Sequence, residues 1–158
     1  IFPFYVPKRL TKHTYTLMLM RHQAFRDQFL HSRLLLSRKG VSDLFLRSLY
    51  ELRLNRNSLP IFLGVPTEGA DAIALFTVEW QTLLFYFMHS HNLTTQQLNK
   101  NALPYFFRWA NIPYSELAGE AVRNYILLLK SLSVEHTYSS VSQYQLLETL
   151  YSGLVAIG

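Results

Sequence analysis

The stretch ADAIALFTVEWQTLLFYFMHS, residues 70–90, is the most apolar part of this 158-residue chain, and it decides the fold. Its apolar run covers residues 72–88, with Glu79 and Gln81 near the centre. A membrane-spanning helix needs about 20 predominantly apolar residues, and a carboxylate at its centre costs about 2.5–3.5 kcal/mol. We therefore predict that residues 70–90 form a helix buried in a protein core, and that the chain has no transmembrane helix.

Two helices are predicted before this stretch. In residues 11–37, apolar side chains recur at three- and four-residue spacing, which is typical of an amphipathic helix, and Gly40 would end it as a left-handed cap. Ser42 is then expected to cap a second helix, with Asp43 in its first turn beside the positive end of the helix dipole. Residues 55–69 carry two prolines and two glycines among apolar residues, so they are predicted to form a packed loop.

Three helices are predicted after the apolar stretch. Thr94 and Gln97 have the spacing of a capping box and would start the first of them, with a kink or break at Pro104. Ser115 is expected to cap a helix that runs to about residue 132, and residues 139–155 form the last one. Since no segment alternates with a period of two residues, a sheet is not expected.

The predicted fold class is therefore all-α, with six or seven helices in successive antiparallel hairpins, like a helical repeat. The predicted domain organisation is an extended N-terminal arm, residues 1–10, followed by a single all-helical domain, residues 11–158. The arm contains two prolines and alternating aromatic residues, a pattern that favours extended backbone. We expect it to lie along a partner through Phe2, Phe4, Tyr5, Lys8 and Arg9.

Composition excludes several classes of protein. With 49% hydrophobic and only 16% charged residues, the chain is too apolar to be intrinsically disordered. The absence of Cys excludes a disulfide scaffold and a cysteine-ligated metal site. The sequence has no phosphate-binding Gly-rich loop, no Gly-x-Ser-x-Gly and no dinucleotide-binding motif. We therefore expect a folded protein that is not an enzyme and needs no cofactor.

Two pairs of polar residues come nearest to a chemical site. His89 and His91 diverge by about 200° on a helix, and no acid or Cys lies nearby in sequence to complete a metal site. Glu116 and Glu120 share a helix face, where two carboxylates can share a proton, but acids also suit the start of a helix. We expect neither a metal site nor a catalytic residue in either pair.

Positive charge is concentrated in the front of the chain. Residues 1–56 hold 11 Lys and Arg against 3 acids, whereas residues 57–158 hold 4 against 7. This imbalance indicates an anionic partner, which is an acidic protein surface, RNA or lipid headgroups. The predicted partner-binding residues form a basic face on two neighbouring helices: Arg21, Arg26, Arg33, Arg38, Lys39, Arg47, Arg53 and Arg56.

A protein partner is favoured over RNA. The rest of the surface must be rich in Phe, Tyr and Leu, and such surfaces mark protein interfaces. Tyr50 and His31 lie among the arginines and could stack on bases, so RNA remains the alternative.

Residues 34–60 resemble a pentatricopeptide repeat, a helix–turn–helix unit closed by a proline. The residues that occupy the family's positions are Gly40, Asp43, Leu46, Leu49, Leu52 and Pro60. A second segment, 83–113, is similar only at its end, through Ala102, Phe106, Trp109, Asn111, Ile112 and Pro113, with Asn111 where the family usually has Gly. RNA recognition by this family needs several regular repeats, and here the repeats are few and unequal. The resemblance therefore implies the fold without the RNA function.

In size and helical character, the chain is also similar to the small pentatricopeptide-like subunits on the catalytic head of mitochondrial ATP synthase in euglenozoans. This resemblance implies a non-catalytic accessory subunit of a large mitochondrial complex, with ATP synthase as the preferred complex. Such a subunit would lie on the matrix side of the inner membrane, with other protein subunits as its partners. The alternative is an RNA-associated helical-repeat protein, such as a component of the mitochondrial ribosome.

Overall fold

Five α-helices form the regular structure in the computed structural model, which describes residues 12–38, 43–54, 59–98, 101–132, 146 and 149. The helices are α1 (Lys12–Arg38), α2 (Leu44–Glu51), α3 (Thr77–His91), α4 (Leu103–Ala110) and α5 (Glu116–Ser131), and one 3₁₀ turn (Ala70–Ala72) precedes α3. No strand occurs within these ranges, so the prediction of an all-α protein is confirmed for them. The count of six or seven helices and the hairpin repeat stay predictions. The N-terminal arm and nearly all of the helix predicted over 139–155 lie outside the described residues.

The central helix α3 forms the middle of the core. From Thr77 to Met88, every side chain except that of Glu79 is buried, and α3 packs against α2 and α4. The Trp80 ring meets Tyr125 of α5 edge to face, with centroids 5.5 Å apart. As predicted, this apolar stretch supplies a core helix. None of the described helices combines the length and apolar character that crossing a membrane requires.

The helix predicted over 70–90 is shorter than expected. Gly69 takes a left-handed φ of +82°, and the chain then makes only the 3₁₀ turn. Ile73 returns to extended backbone, with φ −103° and ψ 129°, and α3 begins at Thr77. Because the 3₁₀ turn packs against α5 rather than continuing α3, the Ile73 side chain reaches the core, where it is buried.

The N-cap of α5 is the predicted residue, and the N-cap of α2 lies one residue later than predicted. The Asp43 carboxylate accepts a hydrogen bond from the Leu46 N–H at 2.9 Å, so the N-cap of α2 is Asp43 and not the predicted Ser42. Ser115 caps α5 as predicted, because its Oγ accepts a hydrogen bond from the Ala118 N–H at 3.0 Å. Both caps satisfy an N–H group that the helix itself leaves without a partner.

The predicted capping box forms, but it does not start a helix. The Thr94 N–H donates to the Gln97 Oε1 at 2.8 Å, and the Gln97 N–H donates to the Thr94 Oγ1 at 3.4 Å. This box closes a single turn, and α4 begins only at Leu103, with Pro104 in its first turn. Proline has no N–H and clashes with the carbonyl four residues earlier, so it is accommodated at a helix start and not inside one.

Three helices end in the same backbone motif. One residue at the end of α2, α3 and α4 takes a left-handed φ: Arg53 (+56°), which follows the C-cap Leu52, and the C-caps Asn92 (+53°) and Asn111 (+58°). The next residue donates its N–H to a carbonyl five positions earlier: Leu54 to Leu49, Leu93 to Met88 and Ile112 to Phe107, at 2.8–2.9 Å. This is the Schellman motif, which satisfies helix carbonyls that would otherwise lack partners.

Residues 59–67 form a buried loop, as the sequence predicts for this region. All of them except Ile61 are buried, although none lies in a helix. The Gln81 side chain of α3 forms hydrogen bonds with the loop backbone that a helix or a strand would otherwise form within itself. Its Oε1 accepts hydrogen bonds from the N–H groups of Gly64 and Val65 at 2.8 and 3.0 Å, and its Nε2 donates to the Val65 carbonyl at 3.0 Å.

Helix α5 holds the other side of the buried loop. The Tyr125 hydroxyl donates a hydrogen bond to the Phe62 carbonyl at 2.6 Å. Burial raises the pKa of that hydroxyl well above its ordinary value, so it remains a donor at neutral pH. One position earlier, the Asn124 Nδ2 donates to the Glu68 carbonyl at 3.0 Å. The backbone polar groups of the loop are therefore satisfied by side chains, as buried backbone requires.

Candidate interaction surface

The basic face predicted on α1 and α2 loses Arg26, which lies inside the protein. Arg26 is only 8% exposed, and its Nη1 donates to the carbonyls of Pro60 and Leu63 at 3.0 and 3.1 Å. Burial lowers the pKa of its guanidinium, although the neighbouring Asp27 carboxylate, 3.3 Å from Nε, opposes this shift. Arg26 attaches the buried loop to α1 and does not belong to an exposed surface.

The Arg33 side chain is also used within the protein. It forms an ion pair with Asp43, the cap of α2, and its Nη1 lies 3.7 Å from the Glu79 Oε2 of α3. Its Cζ lies 5.6 Å from the centre of the Phe29 ring and 5.5 Å from that of Phe45, which are cation–π distances. With 20% of its side chain exposed, Arg33 mainly joins three helices.

The Glu79 carboxyl, which lies close to Arg33, has a shifted pKa. Only 14% of its side chain is exposed. Burial raises its pKa, and both the Arg33 charge and a hydrogen bond with the Phe76 backbone oppose that rise. Glu79 therefore belongs to the packing of α1 against α3.

Three of the predicted basic residues are exposed. Arg21, Arg47 and Arg53 face solvent, and none of them forms an ion pair within the described part of the chain. The remaining predicted residues have side chains that lie outside the described residues: Arg38, Lys39, Arg56, and Phe2, Phe4, Tyr5, Lys8 and Arg9 of the arm.

One side of α1 is exposed along its length and contains large apolar residues. We call it the α1 outer face, and its exposed residues are Leu17, Met20, Arg21, Ala24, Gln28, His31, Ser32 and Leu35. Leu17, Met20 and Leu35 are 50%, 55% and 42% exposed. On the opposite side, Leu19 and Leu30 are fully buried. The spacing of 17, 20, 24, 28, 31 and 35 is itself helical, so the sequence shows that these residues share a helix face but not that this face is exposed.

A second exposed group lies on α4 and at the start of α5. Tyr105 is 63% exposed, with the Arg108 Cζ 5.3 Å from the centre of its ring. Tyr114 is 41% exposed and packs on Phe107 at 5.1 Å, and Leu117 is 67% exposed. The spacing of Leu117 with Ala121 and Tyr125 predicts that Leu117 is buried, and this prediction is wrong because its side chain is largely exposed.

The exposed side of α2 combines two arginines with a tyrosine. We call the group of Arg47, Tyr50, Glu51 and Arg53 the α2 patch, and all four are exposed. Tyr50 is 82% exposed. In the portion of the chain that the structure describes, its ring makes no aromatic or cation–π contact. The α2 patch thus leaves both charge and aromatic surface open to solvent.

The two polar pairs considered from the sequence are at the surface. His91 stacks on Phe87 at 4.3 Å, and its Nδ1 lies 2.9 Å from the Phe87 carbonyl oxygen, so it packs at the end of α3. Glu116 and Glu120 are both exposed. Over the described ranges, no three His, Cys, Asp or Glu side chains are grouped so that they could hold a metal ion.

Within the described residues, the features that the geometry brings together are exposed surfaces. The α1 outer face is the larger and more apolar of them, and the α2 patch is the more charged. Known proteins add no assignment, since no protein-family model, curated protein or solved structure matches this chain.

Proposed function

We propose that this protein is a non-catalytic accessory subunit of a large assembly, which it joins through the α1 outer face and nearby basic residues. The proposed location is the mitochondrion, on the matrix side of the inner membrane, and the preferred assembly is ATP synthase. Both rest on the resemblance in size and helical character stated above.

The observation that carries the proposal is the exposure of Leu17, Met20 and Leu35 on one helix face. The 27 residues of α1 extend about 40 Å at 1.5 Å per residue, which is long enough to span an interface of standard size. Apolar residues that share an exposed face on a folded protein mark sites of association. Arg21 is exposed on the same face, and its charge favours a partner with acidic residues around the apolar contact.

Native purification tests the proposal. The full chain, with an affinity tag, is purified from the organism that encodes it, and the complexes are separated by native electrophoresis and analysed by mass spectrometry. We expect the chain to be present in one mitochondrial assembly in a fixed ratio to its other subunits. Migration of the chain as a monomer without fixed partners would contradict the accessory-subunit function.

A triple substitution tests the face itself. Leu17→Gln, Met20→Gln and Leu35→Gln together are expected to remove the chain from its assembly while leaving its thermal unfolding nearly unchanged, because these side chains are exposed. The matched control is Leu127→Gln, which changes a side chain that is 59% exposed on α5 and should leave assembly intact. Equal loss with both variants would indicate a nonspecific effect of polarity.

An RNA-associated protein remains the second candidate, and the exposure of Tyr50 between two arginines favours it. Bases stack on exposed aromatic rings while arginines contact the phosphates. Binding to single-stranded RNA that weakens steeply as salt rises would support this alternative.

A further inference from the structure

In the α2 patch, Tyr50 lies between Arg47 and Arg53 in sequence, and neither arginine forms an ion pair within the described part of the chain. Arg47 lies three residues before Tyr50 on α2, so their side chains share a helix face. The Arg53 N–H donates to the Tyr50 carbonyl at 3.1 Å, which holds the Arg53 backbone at the end of the same helix. A second exposed Tyr–Arg pair differs: Arg108 lies over the Tyr105 ring at 5.3 Å, so those two side chains contact each other.

The backbone of Arg53 has a conformation that is unusual for a residue with a side chain. Arg53 has a φ of +56° at a position where Gly is preferred, and the two equivalent helix ends have Asn. A left-handed conformation is unfavourable for a residue with a Cβ, and this cost exceeds the attraction of a cation to a helix C-terminus at an exposed site. Local stability alone therefore does not favour Arg over Gly here.

We propose that the α2 patch binds an acidic segment of a partner protein. Arg47 and Arg53 pair with carboxylates of that segment, and Tyr50 packs between them. Arg matches a carboxylate through two parallel hydrogen bonds, and both Tyr and Arg are enriched among residues that dominate interface energies. This proposal rests on the proposed function, and it adds a second contact to the α1 outer face.

An exposed carboxylate within the α2 patch favours a protein partner over a nucleic acid. Glu51 is exposed next to Tyr50, and no ion pair of Glu51 is seen within the described part of the chain. A continuous strand of phosphates that follows the patch would be repelled by Glu51, since like charges close together destabilise a complex. A folded or extended protein segment can place carboxylates at the arginines and neutral or basic groups elsewhere.

Fluorescence anisotropy with defined probes tests the patch on the purified full chain. The probes are a labelled twelve-residue peptide with two Glu separated by neutral residues, the same peptide with Gln for Glu, and a twelve-nucleotide oligouridylate. We expect the Glu peptide to bind most tightly. Arg47→Glu with Arg53→Glu should weaken it at least about tenfold, and Tyr50→Ala about threefold to tenfold, as hot-spot residues do.

Matched controls separate the patch from general charge and from misfolding. Lys130→Glu changes an exposed cation on α5, and Tyr105→Ala removes an exposed tyrosine on α4. Each should change binding of the Glu peptide by less than about twofold, and circular dichroism should show native helix content for every variant. Equal losses in Lys130→Glu, no preference for the Glu peptide over the Gln peptide, or tighter binding of oligouridylate that depends on Tyr50 would overturn the proposal.

The same variants distinguish the patch from the proposed function in native purification. If the wild-type chain joins an assembly and the Arg47→Glu, Arg53→Glu variant joins it equally well, the patch proposal fails while the accessory-subunit function stands. If the wild-type chain joins no assembly, the accessory-subunit function fails, and the peptide experiment alone decides the patch.

Discussion

Arg26 shows how one residue on an apparently basic helix becomes part of the core. Its Nη1 bonds two carbonyls of the buried loop. The Pro60 carbonyl also accepts a hydrogen bond from the Leu63 N–H at 3.1 Å, so Arg26→Ala would leave only the Leu63 carbonyl without a partner. A buried group left unsatisfied costs about 1–3 kcal/mol, and we expect the free energy of unfolding to fall by a similar amount, about 1–3 kcal/mol. Urea denaturation measures it. The control Arg21→Ala, on the exposed side of the same helix, should change stability by less than about 0.5 kcal/mol.

Two glycines with the same backbone conformation differ in their surroundings. Gly64 has φ +81° and Gly69 has φ +82°. A Cβ on Gly64 would lie 2.9 Å from the Arg26 Cδ and 3.1 Å from the Val78 Cβ, whereas a Cβ on Gly69 would lie 3.6 Å from its nearest neighbour. Gly69→Ala should therefore cost about 1 kcal/mol, from backbone strain alone. Gly64→Ala should cost about 2–4 kcal/mol, because overpacking adds to the strain.

Thermal or urea unfolding of both alanine variants measures the difference. Equal destabilisation would show that the close approach of Arg26 to Gly64 is relieved without cost.

The raised pKa of Glu79 makes stability depend on pH. A carboxyl whose pKa is raised by folding binds its proton more tightly in the native state. Its favourable contribution is therefore complete below the ordinary pKa and is lost as pH rises through the raised folded value. Relative to Glu79→Gln, which does not titrate, the wild-type protein should lose free energy of unfolding between pH 4 and pH 7. Urea denaturation of both proteins at each pH measures this, and a relative gain would contradict the assigned cause.

At the scale of elements, the left-handed position at the end of α2 predicts that glycine has opposite effects on stability at Arg53 and at Arg47. Arg53→Gly places Gly at the left-handed position and should raise the free energy of unfolding by about 0.5–1 kcal/mol. Arg47→Gly places Gly inside α2 and should lower it by about 1 kcal/mol. Thermal unfolding distinguishes the signs. Destabilisation by Arg53→Gly would mean that the Arg53 side chain contributes to folding rather than to binding.

The elements whose signals are local were predicted well from the sequence. Ser115 caps α5, and the apolar run over 72–88 supplies the buried α3. The predicted break near Pro104 is present, but the helix predicted to start at Thr94 begins only at Leu103. The break between Ala72 and Thr77 was not predicted, because it depends on packing of the 3₁₀ turn against α5, which lies more than 40 positions further along the chain. Local patterns do not contain such distant contacts.

At the scale of the whole molecule, the sequence predicted the all-α class but misjudged part of the basic face. The pattern of charges cannot show that Arg26 turns inward to two carbonyls, or that Arg33 meets Asp43 and Glu79. Both depend on elements that are brought together only by the fold. Exposure of Leu17 and Met20 was equally hidden, since an apolar residue on a helix is ordinarily assigned to the core.

The buried loop has a consequence for how the protein folds and opens. Its hydrogen bonds join positions far apart in sequence, by 37 residues from Arg26 to Leu63 and by 63 from Tyr125 to Phe62. The loop keeps its full set of hydrogen bonds only while α1, α3 and α5 are assembled around it, because each supplies one of its partners. The amide hydrogens of Gly64 and Val65, both held by Gln81, should consequently exchange with solvent as slowly as those of the core helices. A segment without secondary structure would thus report on the opening of the core.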